Sequence, residues 1–117
     1  MKKTPAIPTE HAEQVAFVQW FEATYPKVRI FAIPNGGFRH KATAERLKLE
    51  GSKPGVPDLM IPEWKVFIEM KRTKGGRTSE EQKGWIEYLN AVGYTAIVCK
   101  GFIEAKSFVE SLYIPSI

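Results

Sequence analysis

Residues 55–71, GVPDLMIPEWKVFIEMK, constrain the fold more than any other part of the chain. Two apolar runs, 58–61 and 64–71, flank Pro62-Glu63, which suits a hairpin turn, so the runs are expected to pair as antiparallel strands. Alternation along the second run puts Phe67, Glu69 and Lys71 on one face and Val66, Ile68 and Met70 on the other. An acid and a base then stand on one face, about 6.5 Å apart along the strand and close enough to share a small site. A half-exposed salt bridge at a fraying strand end is the structural alternative, and such pairs contribute little. Asp58, directly after Pro57, reads structurally as a turn residue.

The surrounding pattern supplies helices for this pair. Thr9 is placed to cap a helix over 10–25, which Pro26 stops. Residues 28–33 (VRIFAI) read as a short buried strand, followed by the Pro34-Asn35-Gly36-Gly37 turn. A modest helix over 40–50 ends at Gly51, and Pro54-Gly55-Val56-Pro57 forms a stiff loop. Gly75-Gly76 marks another loop, and Thr78-Ser79 opens a helix reaching Val92, with Gly93 as its stop. A buried strand over 94–99 and a last helix over 102–112 complete the chain. The order predicts an α/β fold, a small mixed sheet flanked by helices.

Helical phase brings more polar groups to the apolar side. Phe17, Val18, Phe21 and Tyr25 define the inner stripe of the first helix, with Trp20 on its flank. Extended backwards, the stripe meets Gln14 and then Glu10; Glu13 falls nearer the edge, and a shift of helix phase would exchange the two acids. A first-turn acid also complements the helix dipole, but that role does not require it to point inward. In the helix after the Gly-Gly loop, Trp85, Ile86, Leu89 and Val92 form the inner stripe, and Gln82 precedes them on it. Ser79-x-x-Gln82 equally fits a capping box. Acids brought together in this way would repel one another and raise their own pKa values unless a cation joined them. Hard oxygen ligands suit Mg²⁺ or Mn²⁺, which also bind phosphate oxygens, and Lys71 beside them can stabilise charge on an attacked phosphate.

Composition narrows the partner. The net charge is +4, compatible with a polyanion, and Lys71, Arg72, Lys74 and Arg77 fall within seven residues that hold no acid. Arg39, Lys41, Arg46, Lys48 and Lys53 form a second, diluted basic stretch. The 117 residues suffice for one domain (1–117, core about 10–112) and not two. No apolar run approaches a membrane span, and Thr4, Pro5 and Pro8 interrupt the apolar stretch a signal peptide needs, so a cytoplasmic protein is expected. His11, His40 and Cys99 lack zinc-ligand spacing, and no phosphate-binding glycine loop of the Walker type occurs.

Asp58 followed by Glu69-x-Lys71 resembles the PD-(D/E)XK nuclease pattern, which alone recurs often by chance. A longer set is more specific: Glu10-His11-x-x-Gln14, Pro34-Asn35-Gly36, Gly51-x-x-Pro54-Gly55-Val56-Pro57-Asp58, Ile68-Glu69-Met70-Lys71 and Ser79-x-x-Gln82-x-x-Trp85. Together these resemble the virus-type replication-repair nuclease (VRR-NUC) domain over about residues 10–112, in the stand-alone form found in phages and bacteria. The resemblance implies a PD-(D/E)XK core, a bacterial or phage-infected cytoplasm, and Mg²⁺- or Mn²⁺-dependent hydrolysis of DNA phosphodiesters. Asp58 and Glu69 match the metal-binding carboxylates and Glu10 the helix acid, with the Met70 carbonyl as a further ligand. Lys71 matches the motif lysine and Gln82 the polar residue of the next helix. Arg72, Lys74 and Arg77, with Arg39 and Lys41, are the candidate DNA-backbone contacts. The resemblance also implies a homodimer that presents two sites to a two-fold symmetric substrate such as a four-way (Holliday) junction, with residues 102–117 one candidate pairing surface. The alternatives are a flap- or nick-directed nuclease, a non-catalytic DNA-binding module, and a structural or adaptor protein.

Overall fold

In the computed structural model, which describes residues 6–34 and 40–112, Thr9 starts the first helix as its position predicts. Its Oγ1 accepts from the Ala12 amide at 3.0 Å, and helix α1 runs Glu10–Thr24. The other elements follow as strand β1 (Phe31–Ala32), helix α2 (Lys41–Leu49) and strand β2 (Leu59–Ile61). A 3-10 turn at Pro62–Trp64 leads to strand β3 (Val66–Lys71), then helix α3 (Glu80–Ala91), strand β4 (Thr95–Lys100) and helix α4 (Gly101–Leu112). Arg39, the Asn35-Gly36-Gly37 part of the expected turn, and the 113–117 end of the candidate pairing surface lie outside the described residues.

The strands form one mixed sheet in the order β1-β2-β3-β4. The expected antiparallel pair is present, with Leu59, Met60 and Ile61 opposite Ile68, Phe67 and Val66. Its turn is longer than Pro62-Glu63 alone: Lys65 adopts a left-handed φ of 54°, so β3 begins at Val66. β4 runs parallel to β3 throughout, the geometry that the intervening α3 crossover makes possible.

The alternation of β3 divides the interior. Val66, Ile68 and Met70 pack with Phe17 and Phe21 of α1 and with Ala105 and Val109 of α4. Phe67 points the other way, into a smaller cluster with Leu89 of α3 and Ala96 of β4. All six β3 residues are buried, so Glu69 and Lys71 are not a frayed surface pair.

Two expectations are corrected. The 28–33 run is not a buried strand: only Phe31–Ala32 pair, both exposed, because β1 is the sheet edge. Val28 and Ile30 still pack against the main core from an irregular segment. Val92, assigned to the inner stripe of α3, is 50% exposed, since it caps the helix beyond the last turn that meets the sheet. Helix α2 has no buried residue. Among the described residues no helix is long and apolar enough to cross a membrane.

Candidate active site

Asp58 stands just before β2, at the end of the 54–57 loop. That loop lies against the start of α3, and Gly55 is what permits it. Gly55 has φ +87°, and a Cβ there would come within 2.6 Å of the Glu81 carbonyl carbon and 2.8 Å of the Gln82 nitrogen. The close approach brings Asp58, at the end of this loop, and the helix carrying Gln82 to one place. Asp58 Oδ2 then accepts the Met70 amide at 2.8 Å, which fixes the carboxylate beside Glu69.

Glu10 arrives from the first residue of α1. Carboxylate oxygens of Glu10, Asp58 and Glu69 all lie within 4.8 Å of one another. Glu69 is 2% exposed and Lys71 7%. Their ion pair is 3.4 Å long, and Gln82 braces both: Lys71 Nζ donates to Gln82 Oε1 at 2.9 Å, and Gln82 Nε2 donates to Glu69 Oε2 at 2.9 Å.

Gln82 completes a capping box and also faces the acidic cluster. Its Oε1 also accepts the Ser79 amide at 2.9 Å, while its own amide donates to Ser79 Oγ at 3.1 Å, a complete capping box. With Oε1 taken by two donors, Nε2 is left facing Glu69, so capping the helix orients the amide within the site.

Burial dominates the electrostatics of the cluster. Burial raises the Glu69 carboxyl to about 8, and the neighbouring Asp58 pushes the same way against the pull of Lys71. Burial also raises Asp58, opposed by the Met70 amide and Lys71. Glu10 is raised by its own burial and by Asp58. Near neutral pH, without a cation, the cluster therefore retains a proton.

Arg72, Lys74 and Arg77 are exposed on the segment leaving β3 past Lys71, and Lys41 is exposed at the start of α2. Sequence reasoning missed Glu13 as a hub: it accepts from the Thr73 hydroxyl and the Phe102 amide, partners 60 and 89 residues away. Only its helical spacing from Glu10 hinted at a place near the site.

The VRR-NUC domain model matches residues 6–103. The chain belongs to the VRR-NUC family. A solved structure described as a VRR_NUC domain protein aligns with a TM-score of 0.76 at 28% identity, covering 90% of this chain and 88% of that one. No curated protein matches the sequence. The four-stranded mixed sheet flanked by helices is consistent with a PD-(D/E)XK-like core. VRR-NUC membership gives the chain a nuclease-type function, with DNA as the implied substrate.

A divalent cation goes with that class, and the VRR-NUC residues here fit one. An octahedral ion with bonds of about 2.1 Å spans ligand oxygens roughly 3–4 Å apart. The three carboxylates offer only hard oxygen donors, all within 4.8 Å of one another, and their pKa values are raised chiefly by burial, which disfavours the charged forms that a bound cation would stabilise.

Proposed function

We propose that the chain is a Mg²⁺- or Mn²⁺-dependent, structure-selective DNA endonuclease that cuts branched DNA, with the four-way junction as leading substrate and a homodimer as working form. The observation that carries this reading is the convergence of Glu10, Asp58 and Glu69 from three segments, beside a buried Lys71. A solvated charge cluster would explain neither the burial of Glu69 nor its bracing by Gln82.

Asp58, Glu69 and Glu10 would hold the cation, with the Met70 carbonyl as a further donor next to the peptide that Asp58 fixes. A bound Mg²⁺ or Mn²⁺ supplies Lewis-acid polarisation of the phosphate and acidification of a water. Lys71 stabilises negative charge developing on the attacked phosphate, from a position set by Gln82 rather than by its own flexible stem. Gln82 acts by holding Lys71 and Glu69 in register, and its second Nε2 hydrogen can serve a water or a phosphate oxygen. Arg72, Lys74 and Arg77, with Lys41 and Arg39, contact the DNA backbone without reading sequence. A two-fold dimer then presents two such centres to the two-fold symmetric junction.

The test is a panel of labelled duplex, nicked, flap, forked and four-way junction DNA, each with Mg²⁺, Mn²⁺ or EDTA, for wild type and Lys71→Ala. The proposal expects metal-dependent cutting, greatest on the junction and lost in the variant. Cleavage indifferent to EDTA removes the metal mechanism. Preference for flaps or nicks replaces the junction assignment, and DNA binding without any cleavage makes the chain a binding module.

A further inference from the structure

Glu13 lies one helical turn after Glu10 on α1 and takes no part in the carboxylate cluster. Its carboxylate joins segments remote in sequence instead. Oε2 accepts from Thr73 Oγ1 at 2.7 Å, and Oε1 accepts from the Phe102 amide at 3.2 Å. Thr73 is the second residue past Lys71, and Phe102 the second residue of α4. The first turn of α1 is thereby tied to the exit of β3 and to the start of α4. Gly101 leaves room for this clasp: it has φ +89°, and a Cβ there would stand 2.7 Å from both Glu13 Oε2 and Thr73 Oγ1.

Glu10 needs such support. It is the first residue of its helix, where ends fray, and the fully buried anchors of α1 begin only at Phe17. The Thr9 cap holds this turn only to its own helix, whereas Glu13 holds it to the body of the protein.

We propose that Glu13 is a positioning residue, whose clasp on Thr73 and the Phe102 amide holds the first turn of α1 so that Glu10 reaches the same cation as Asp58 and Glu69. The proposal rests on the reading of those three acids as a cation centre. It assigns Glu13 an indirect role through Glu10 and makes Thr73, an exposed residue that carries no charge, part of the support for metal binding.

Thr73 offers the cleaner test, because changing Glu13 also removes a charge close to the site. Mn²⁺ binding to the DNA-free protein is measured by calorimetry for wild type, Thr73→Val, Thr73→Ser and Asn90→Ala, with the Tm of each. Asn90 bonds both the amide and the carbonyl of Ala96, on the side of the sheet served by α3, and so controls for general loosening. Thr73→Val is expected to bind Mn²⁺ about tenfold more weakly, the scale of loss when support to a ligand is removed. Thr73→Ser should bind as wild type does, and Asn90→Ala should lose Tm while keeping its Mn²⁺ affinity. Wild-type affinity in Thr73→Val overturns the clasp alone. An equal loss in Asn90→Ala also overturns it, by showing that loosening anywhere suffices. Failure of the wild type itself to take up Mn²⁺ overturns the cation centre, and the clasp with it.

Discussion

Replacing Glu69 by Gln should make the metal-free protein more stable at alkaline pH while abolishing cation binding. Glu69 is 2% exposed, and burial together with Asp58 raises its carboxyl from 4.5 to about 8. Between those values the folded protein holds a proton that the unfolded chain has released, so stability falls as pH rises across this window. At about 1.4 kcal/mol per unit, the loss reaches on the order of 4 kcal/mol by pH 8. Gln keeps the shape, and its side-chain oxygen can still accept from Gln82 Nε2, but it has no charge to lose. The assay is urea unfolding in EDTA at several pH values between 5 and 8, for wild type and Glu69→Gln. Their difference should be small at the acid end and grow with pH in favour of the variant. Added Mn²⁺ should then rescue the wild type and leave the variant unmoved. A difference that stays constant with pH, or a wild type more stable than the variant at pH 8, refutes the reasoning.

Other perturbations test separate links. Lys71→Ala should lower cleavage by about 10²–10³-fold, the scale for removing one transition-state charge stabiliser, measured in single-turnover assays with the fold checked by circular dichroism. Gly55→Ala combines a positive φ with a 2.6 Å approach to Glu81, so its Tm should fall by several degrees and its cleavage should fall with it. Phe17→Ala, at a fully buried position shared by α1 and the sheet, should cost about 3–5 kcal/mol in denaturant unfolding.

The sheet centre was legible because its signal is local. Alternation from Val66 to Lys71 assigned both faces, and the neighbouring Pro62-Glu63 made β2 its antiparallel partner. Glu10 was legible through the phase of Phe17 and Phe21 on the same helix. What failed depended on neighbours that a single segment does not reveal. The VRIFAI run has a buried strand's composition, but position at the sheet edge leaves Phe31 47% exposed. Val92 follows the helical phase yet falls past the last turn of α3. Gln82 presented two readings that looked like rivals, because sequence does not show that one oxygen can accept from both a cap amide and the Lys71 ammonium. Glu13 was invisible as a clasp, since its partners Thr73 and Phe102 reach it only once β3 and α4 are in place.

The most direct test of the cation centre is an anomalous-scattering map from crystals of the protein soaked in Mn²⁺. The account predicts one dominant peak among the Glu10, Asp58 and Glu69 carboxylates, within about 2.2 Å of their nearest oxygens. A fully occupied peak elsewhere, with none among those three carboxylates, would contradict it.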